Sequence, residues 1–161
     1  MRSLIFLCIL SLVFSTTSQN LIEQGSTGKI NKKRLIISNS SIGLLSSVSL
    51  IGLHRLWYSD EKQEAFHLFD DSKNWMQMDK MGHVMSSYEL SKNMTEVYEW
   101  AGMSKRSSAL LASSISLAYM SAIEIMDGHS TNWGFSISDM VANLAGTGWF
   151  LFQESFFSKQ I

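Results

Sequence analysis

The chain alternates between long apolar stretches and short polar ones, and that pattern predicts helices. Residues Leu4 to Phe14 form an apolar run of eleven behind Arg2, followed by the small polar residues Ser15 to Gln19. A positive start, an apolar middle too short to cross a bilayer of about 30 Å, and a small polar end make a secretory signal peptide over 1–18. Residues 19–34 are polar and close with Lys29, Lys32, Lys33 and Arg34, which reads as a flexible linker. From Leu35 to Leu53 no charge occurs in nineteen residues, giving a first helix, A. A polar, acidic stretch over Ser59 to Lys73 carries Phe66, Leu68 and Phe69 as a loop or short helix.

A second helix, B, is expected from about Met78 to Trp100. Its charges at Asp79, Lys80, Glu89, Lys92, Glu96 and Glu99 predict one wet face. Met78, Met81 and Met85, three and four apart, predict an apolar stripe in the core, where flexible methionine packs well. After the turn Ala101-Gly102-Met103, helix C runs from about Ser104 to Asp127, with Gly128 as its expected cap. Ser136-Ile137-Ser138-Asp139 has the form of a capping box and opens helix D, which continues to about Phe157. The sequence therefore predicts an all-α fold. It is a small up-and-down bundle of about four helices in a single domain over 35–158, after the signal peptide.

Composition sharpens this picture. The 161 residues contain no proline, which suits uninterrupted helices, and one cysteine, which excludes a disulfide framework. Cys8 lies inside the apolar run behind the large Leu7, so lipidation there is not expected. Thirteen basic and fourteen acidic residues leave a net charge of -1, which argues against nucleic-acid binding. Helix A and residues 107–123 of helix C are long enough for marginal membrane spans. Mean hydropathy is only +0.05, however. Spanning by A would also carry the acidic Asp60 to Asp71 segment inward, against the positive-inside tendency. A peripheral or soluble exported bundle is the preferred expectation, with helix A touching lipid and a membrane or envelope component as partner.

Helix lengths predict where the polar residues meet. Helices B and C span about 33 and 36 Å and join through a short turn, so the start of B lies beside the end of C. The start of D follows a short loop and joins them. Asp79, Lys80, His83, Glu124, Asp127, Asp139 and Asn143 thus gather at one end, with Arg55, Trp57, Trp133 and Phe135 as rim or lid. The spacings Asp79/His83, Glu124/Asp127 and Asp139/Asn143 each put two groups on one helical face. Between Ser107 and Ser158 there are four carboxylates and no Lys or Arg. Buried carboxylates there need Lys80, Arg55, a divalent metal or a bound proton to compensate them.

Asp79-Lys80-x-x-His83, Glu124-x-x-Asp127-Gly128, and Trp133-Gly134-Phe135-Ser136 with Asp139 and Asn143-x-x-Gly146 together resemble the YfiM-like family of exported bacterial proteins. Those proteins are described as periplasmic lipoproteins without an assigned activity. A weaker similarity is to the VanZ-like membrane proteins. The resemblance covers 75–153 and implies an envelope location, periplasmic or membrane-associated, and a small helical fold.

Three functions stay open. A noncatalytic envelope protein predicts a polar cluster closed to solvent and fully paired by Lys80. A small hydrolase or transferase acting on an envelope lipid or glycan needs a cleft at the cluster, with His83, Glu124, Asp127 and Asp139 as candidate catalytic groups. A divalent-metal module needs converging ligands, with His83, Glu124 and Asp127 as candidates. In the structural reading, Asp139 caps helix D, and Glu124 and Asp127 pair with Lys80.

Overall fold

A computed structural model describes residues 29–59, 63–71 and 74–157. The signal peptide, Cys8 and most of the linker lie outside these residues. Four helices carry the fold: α1 (Lys32–Leu53), α2 (Met78–Trp100), α3 (Lys105–Asp127) and α4 (Ile137–Phe156). The all-α expectation holds. Helix α1 starts three residues earlier than its apolar run because Asn31 caps it, its side chain accepting from the Lys33 and Arg34 amides. The chain leaves α1 through a π-helical turn, His54–Tyr58. A short 3₁₀ turn, Asn74–Gln77, leads into α2.

The helices run up and down. The Asn31 amide donates to the Ala101 carbonyl, so α1 starts where α2 ends. Ser49 and Tyr119 share a 2.6 Å hydrogen bond, so α1 and α3 climb together. Gly102 makes the α2–α3 turn at φ +88°, a left-handed conformation that glycine adopts without strain, and a Cβ there would sit 2.4 Å from the Lys29 carbonyl oxygen. Gly128 caps α3 as expected, its amide donating to the Glu124 carbonyl at 2.9 Å. Its φ is an ordinary helical -59°. Glycine is needed there for space, since a Cβ would lie 2.5 Å from the Phe66 ring.

The interior mixes a small apolar core with many small polar residues. Ile42, Leu53, Leu90, Met94, Tyr98, Met120 and Ile123 pack as one cluster. Ser87, Ser91, Ser108 and Ser116 are wholly buried beside them. Ser87, Ser91 and Thr95 donate to carbonyls one turn back, which satisfies the hydroxyls inside their own helix. Ser116 donates across to the Ser87 carbonyl at 2.9 Å and ties α3 to α2. Small side chains let the backbones approach. A Cβ on Gly146 would lie 2.1 Å from Ser87 Oγ and 2.2 Å from the Val84 carbonyl oxygen.

Two expectations about α2 are corrected. Met78, Met81 and Met85 are not core residues; they are 65, 61 and 59% exposed, and Met76 is 92% exposed. The charged face of α2 is half-buried rather than wet, because α1, α3 and α4 all pack around this helix.

Candidate functional site: a buried charge cluster

The polar end forms where α1 finishes, α2 starts, α3 finishes and α4 starts. Segment 63–71 crosses this end, held by backbone hydrogen bonds from His67 to the Gly128 carbonyl and from Phe69 to the Phe135 carbonyl. It delivers Asp71, a residue the sequence reading did not single out.

Lys80 is the hub. Its Nζ lies 2.5 Å from Asp71 Oδ2, 2.7 Å from Asp139 Oδ1 and 3.3 Å from Asp79 Oδ2. The ammonium therefore joins the crossing segment, α2 and α4. Its expected partners were different. Asp127 bonds instead to the Tyr58 hydroxyl, and Glu124 faces His83, with Nε2 to Oε1 at 3.6 Å. The reason is the crossing segment, which brings Asp71 to Lys80, while the end of α1 brings Tyr58 to Asp127.

Asp71 is tied twice more. Ser136 Oγ and Ser138 Oγ donate to its Oδ1 at 2.7 and 2.9 Å. The α4 cap is Ser136, whose Oγ accepts from the Asp139 amide at 3.1 Å. Asp139 lies in the first turn as expected, but its carboxylate serves Lys80 rather than the cap. His83 Nδ1 is 3.1 Å from Asn143 Oδ1, and its Nε2 is 3.9 Å from Asp79 Oδ1.

All seven sequence-derived cluster residues thus meet at this end. Of the rim candidates, Trp57 packs against the apolar core, Phe135 packs on Phe66, and Arg55 and Trp133 are exposed. A cavity of about 240 Å³ lies beside the cluster, lined by His54, Tyr58, Gln63, Ile125, His129 and others. Of its lining residues, Tyr58 bonds to a cluster carboxylate, Asp127. No sequence feature marked it, because its walls come from four separate segments.

Burial sets the electrostatics. Glu124 is 1% exposed, and removal from water raises its pKa to about 9, with Asp139 and Asp127 adding repulsion. Burial likewise lifts Asp127 to about 6, against the lowering effect of the Tyr58 hydrogen bond. Asp139 is also raised by burial, partly offset by Lys80. Asp71 is desolvated too, yet the Lys80 ammonium and the two serine hydroxyls hold it well below the usual carboxylate range. Lys80 loses hydration, but Asp139 and Asp71 more than restore its charged form, so its pKa is raised.

Chemically, the cluster holds a fixed ammonium–carboxylate knot beside a second carboxyl that burial keeps protonated at neutral pH. Glu124 Oε1 and Asn143 Nδ2 have no hydrogen-bond partner. The expectation of full pairing by Lys80 therefore fails at these two atoms. Asp79, His83 and Asp139 each offer a ligand atom within 4.8 Å of the others, so these three are the residues that could hold a metal. That trio retains His83 from the sequence candidates and replaces Glu124 and Asp127.

A family model described as a predicted periplasmic lipoprotein (DUF2279) matches residues 64–155, from the crossing segment to the last turn of α4. No curated protein and no solved structure shows significant similarity to the chain.

Proposed function

The chain belongs to that predicted periplasmic lipoprotein family, exported to the bacterial cell envelope, and from this premise we propose a noncatalytic role. The polar end is a structural charge network that locks a small envelope bundle. The observation that carries this reading is Lys80, whose ammonium is bonded to carboxylates on three separate segments and is almost out of solvent. Within the family we assign the chain to the YfiM-like group on the Asp79-Lys80-x-x-His83 and Glu124-x-x-Asp127-Gly128 motifs. A cleaved signal peptide over 1–18 belongs to the same reading. The test is thermal unfolding of Lys80→Met. Losing the ammonium strands buried carboxylates, worth about 3–5 kcal/mol and so roughly 10 °C or more in Tm for a domain of this size. An unchanged Tm removes the structural reading.

A second reading is favoured by the convergence of Asp79, His83 and Asp139. There a divalent cation joins the network and shares Asp79 and Asp139 with Lys80. Metal content and metal-dependent melting of the wild type beside His83→Ala test it. Stoichiometric metal that stabilises only the wild type establishes the site; identical melting responses dismiss it.

A further inference from the structure

The outer surface of the bundle is more apolar than its interior. Inside, serines, Asn93, Thr95, Asn143 and Thr147 are buried between the helices. Outside, Leu44, Val48 and Ile51 of α1 are 66, 58 and 55% exposed. On α3, Leu110 and Ile125 are 51 and 50% exposed. On α4, Val141, Leu144 and Trp149 are 59, 52 and 57% exposed. In water a monomer keeps contiguous apolar patches small, and large ones mark a surface that something covers. Small residues between helices and large apolar residues outside are the arrangement of helices packed in lipid.

Two further features identify the cover. Lys29, Lys32, Lys33, Lys105 and Arg106 are all exposed at one end of the bundle, which suits anionic headgroups. At that same end the exposed rings of Trp149, Phe152 and Phe156 stack along α4, with centroids 5.7 and 4.7 Å apart, as aromatic side chains do at a membrane interface. The charged residues of α2, Glu89, Lys92, Glu96 and Glu99, recur every three or four residues and are half-buried, while Met78, Met81 and Met85 are the exposed side chains of that helix.

We propose that the outer faces of α1, α3 and α4 lie against the acyl chains of an anionic phospholipid membrane. The bundle itself, and not only an N-terminal attachment, is then the membrane-binding element.

The test uses the full chain with Cys8→Ser and one new cysteine at a time: Leu44→Cys, Leu110→Cys, Leu144→Cys or, as the control at the exposed acidic end, Glu64→Cys. Alkylation by a water-soluble maleimide is timed with and without phosphatidylglycerol-containing vesicles. The proposal expects at least a tenfold slowing at 44, 110 and 144 with vesicles, and an unchanged rate at 64. Raised salt weakens the effect by screening the basic end. Protein that floats with vesicles while all four rates stay unchanged is held by its N-terminus alone, and overturns the proposal. Protection at 44, 110 and 144 that appears without lipid and grows with protein concentration means that a second copy covers the faces, and overturns it too.

Discussion

The two ends of the bundle carry opposite charge and handle it in opposite ways. At one end Lys80 sits among Asp71, Asp79 and Asp139 with 12% of its side chain exposed. At the other, Lys105 pairs with Glu154 at 2.9 Å; Glu154 is only 7% exposed, but the Lys105 side chain is 48% exposed, and Arg34 lies over the Trp100 ring at 4.8 Å. Both ends have ion pairs of similar length, so distance does not separate them. Burial does. A buried charge must be matched or neutralised, and removing its partner is severe. An exposed ammonium is already matched by water, so its loss is felt mainly at the carboxylate it leaves. The acidic end therefore holds the fold together, while the basic end is free to meet an external anion.

The largest expected effect is at Lys80. Lys80→Met lowers stability by about 3–5 kcal/mol, read by thermal or denaturant unfolding. Lys105→Gln at the opposite end takes an ion partner from one carboxylate, Glu154, rather than from three, and lowers it by about 1–3 kcal/mol. Equal losses break the contrast between the ends.

Next is Gly146→Ala. Its Cβ meets backbone of α2, which cannot swing aside, so about 1–3 kcal/mol is lost to overpacking, measured as a lowered denaturation midpoint. Because Gly146 lies between the ends, this variant shows what pure packing strain does without touching charge.

Tyr58→Phe is expected to lower stability at neutral pH by about 1 kcal/mol, since the buried Asp127 carboxylate loses its hydroxyl donor. The loss shrinks below pH 6, where Asp127 is increasingly protonated in the fold.

The pH dependence is a gradual slope and not the loss of one contact. Glu124 is raised from 4.5 to about 9 in the folded state. Between those values the native state holds a proton that the unfolded chain has lost, so stability falls as pH rises. Asp127 adds a shorter slope from 3.8 to about 6. Asp71 acts the other way. Its contribution is full above the unfolded pKa near 4 and is lost as pH falls further. Glu124→Gln flattens the alkaline side of the stability profile and leaves the acid side in place.

Much of the acidic end was legible because helical periodicity and helix length are local quantities. The i, i+3 and i, i+4 spacings put Asp79 with His83 and Glu124 with Asp127, and short connections brought the helix ends together. What the pattern could not supply was pairing. Asp71 comes from a segment without regular structure, placed by backbone hydrogen bonds to residues more than 60 positions away. Tyr58 comes from a π-helical turn that no periodicity marks. Those two residues redirect Lys80 and Asp127 away from their expected partnership. The methionines failed for a different reason. Spacing tells which residues share a face, but not whether that face looks inward, and here the serine-rich face of α2 is the inner one.

The most direct test of the charge network is a double-mutant cycle between Lys80→Met and Asp139→Asn, read by equilibrium unfolding at pH 7. The two groups lie 2.7 Å apart with little solvent between them and the core. The account predicts a coupling of about 2 kcal/mol, with the double variant losing far less than the sum of the single ones. Additive losses, within about 0.5 kcal/mol, would contradict it and leave Lys80 and Asp139 as neighbours that do not hold the bundle together.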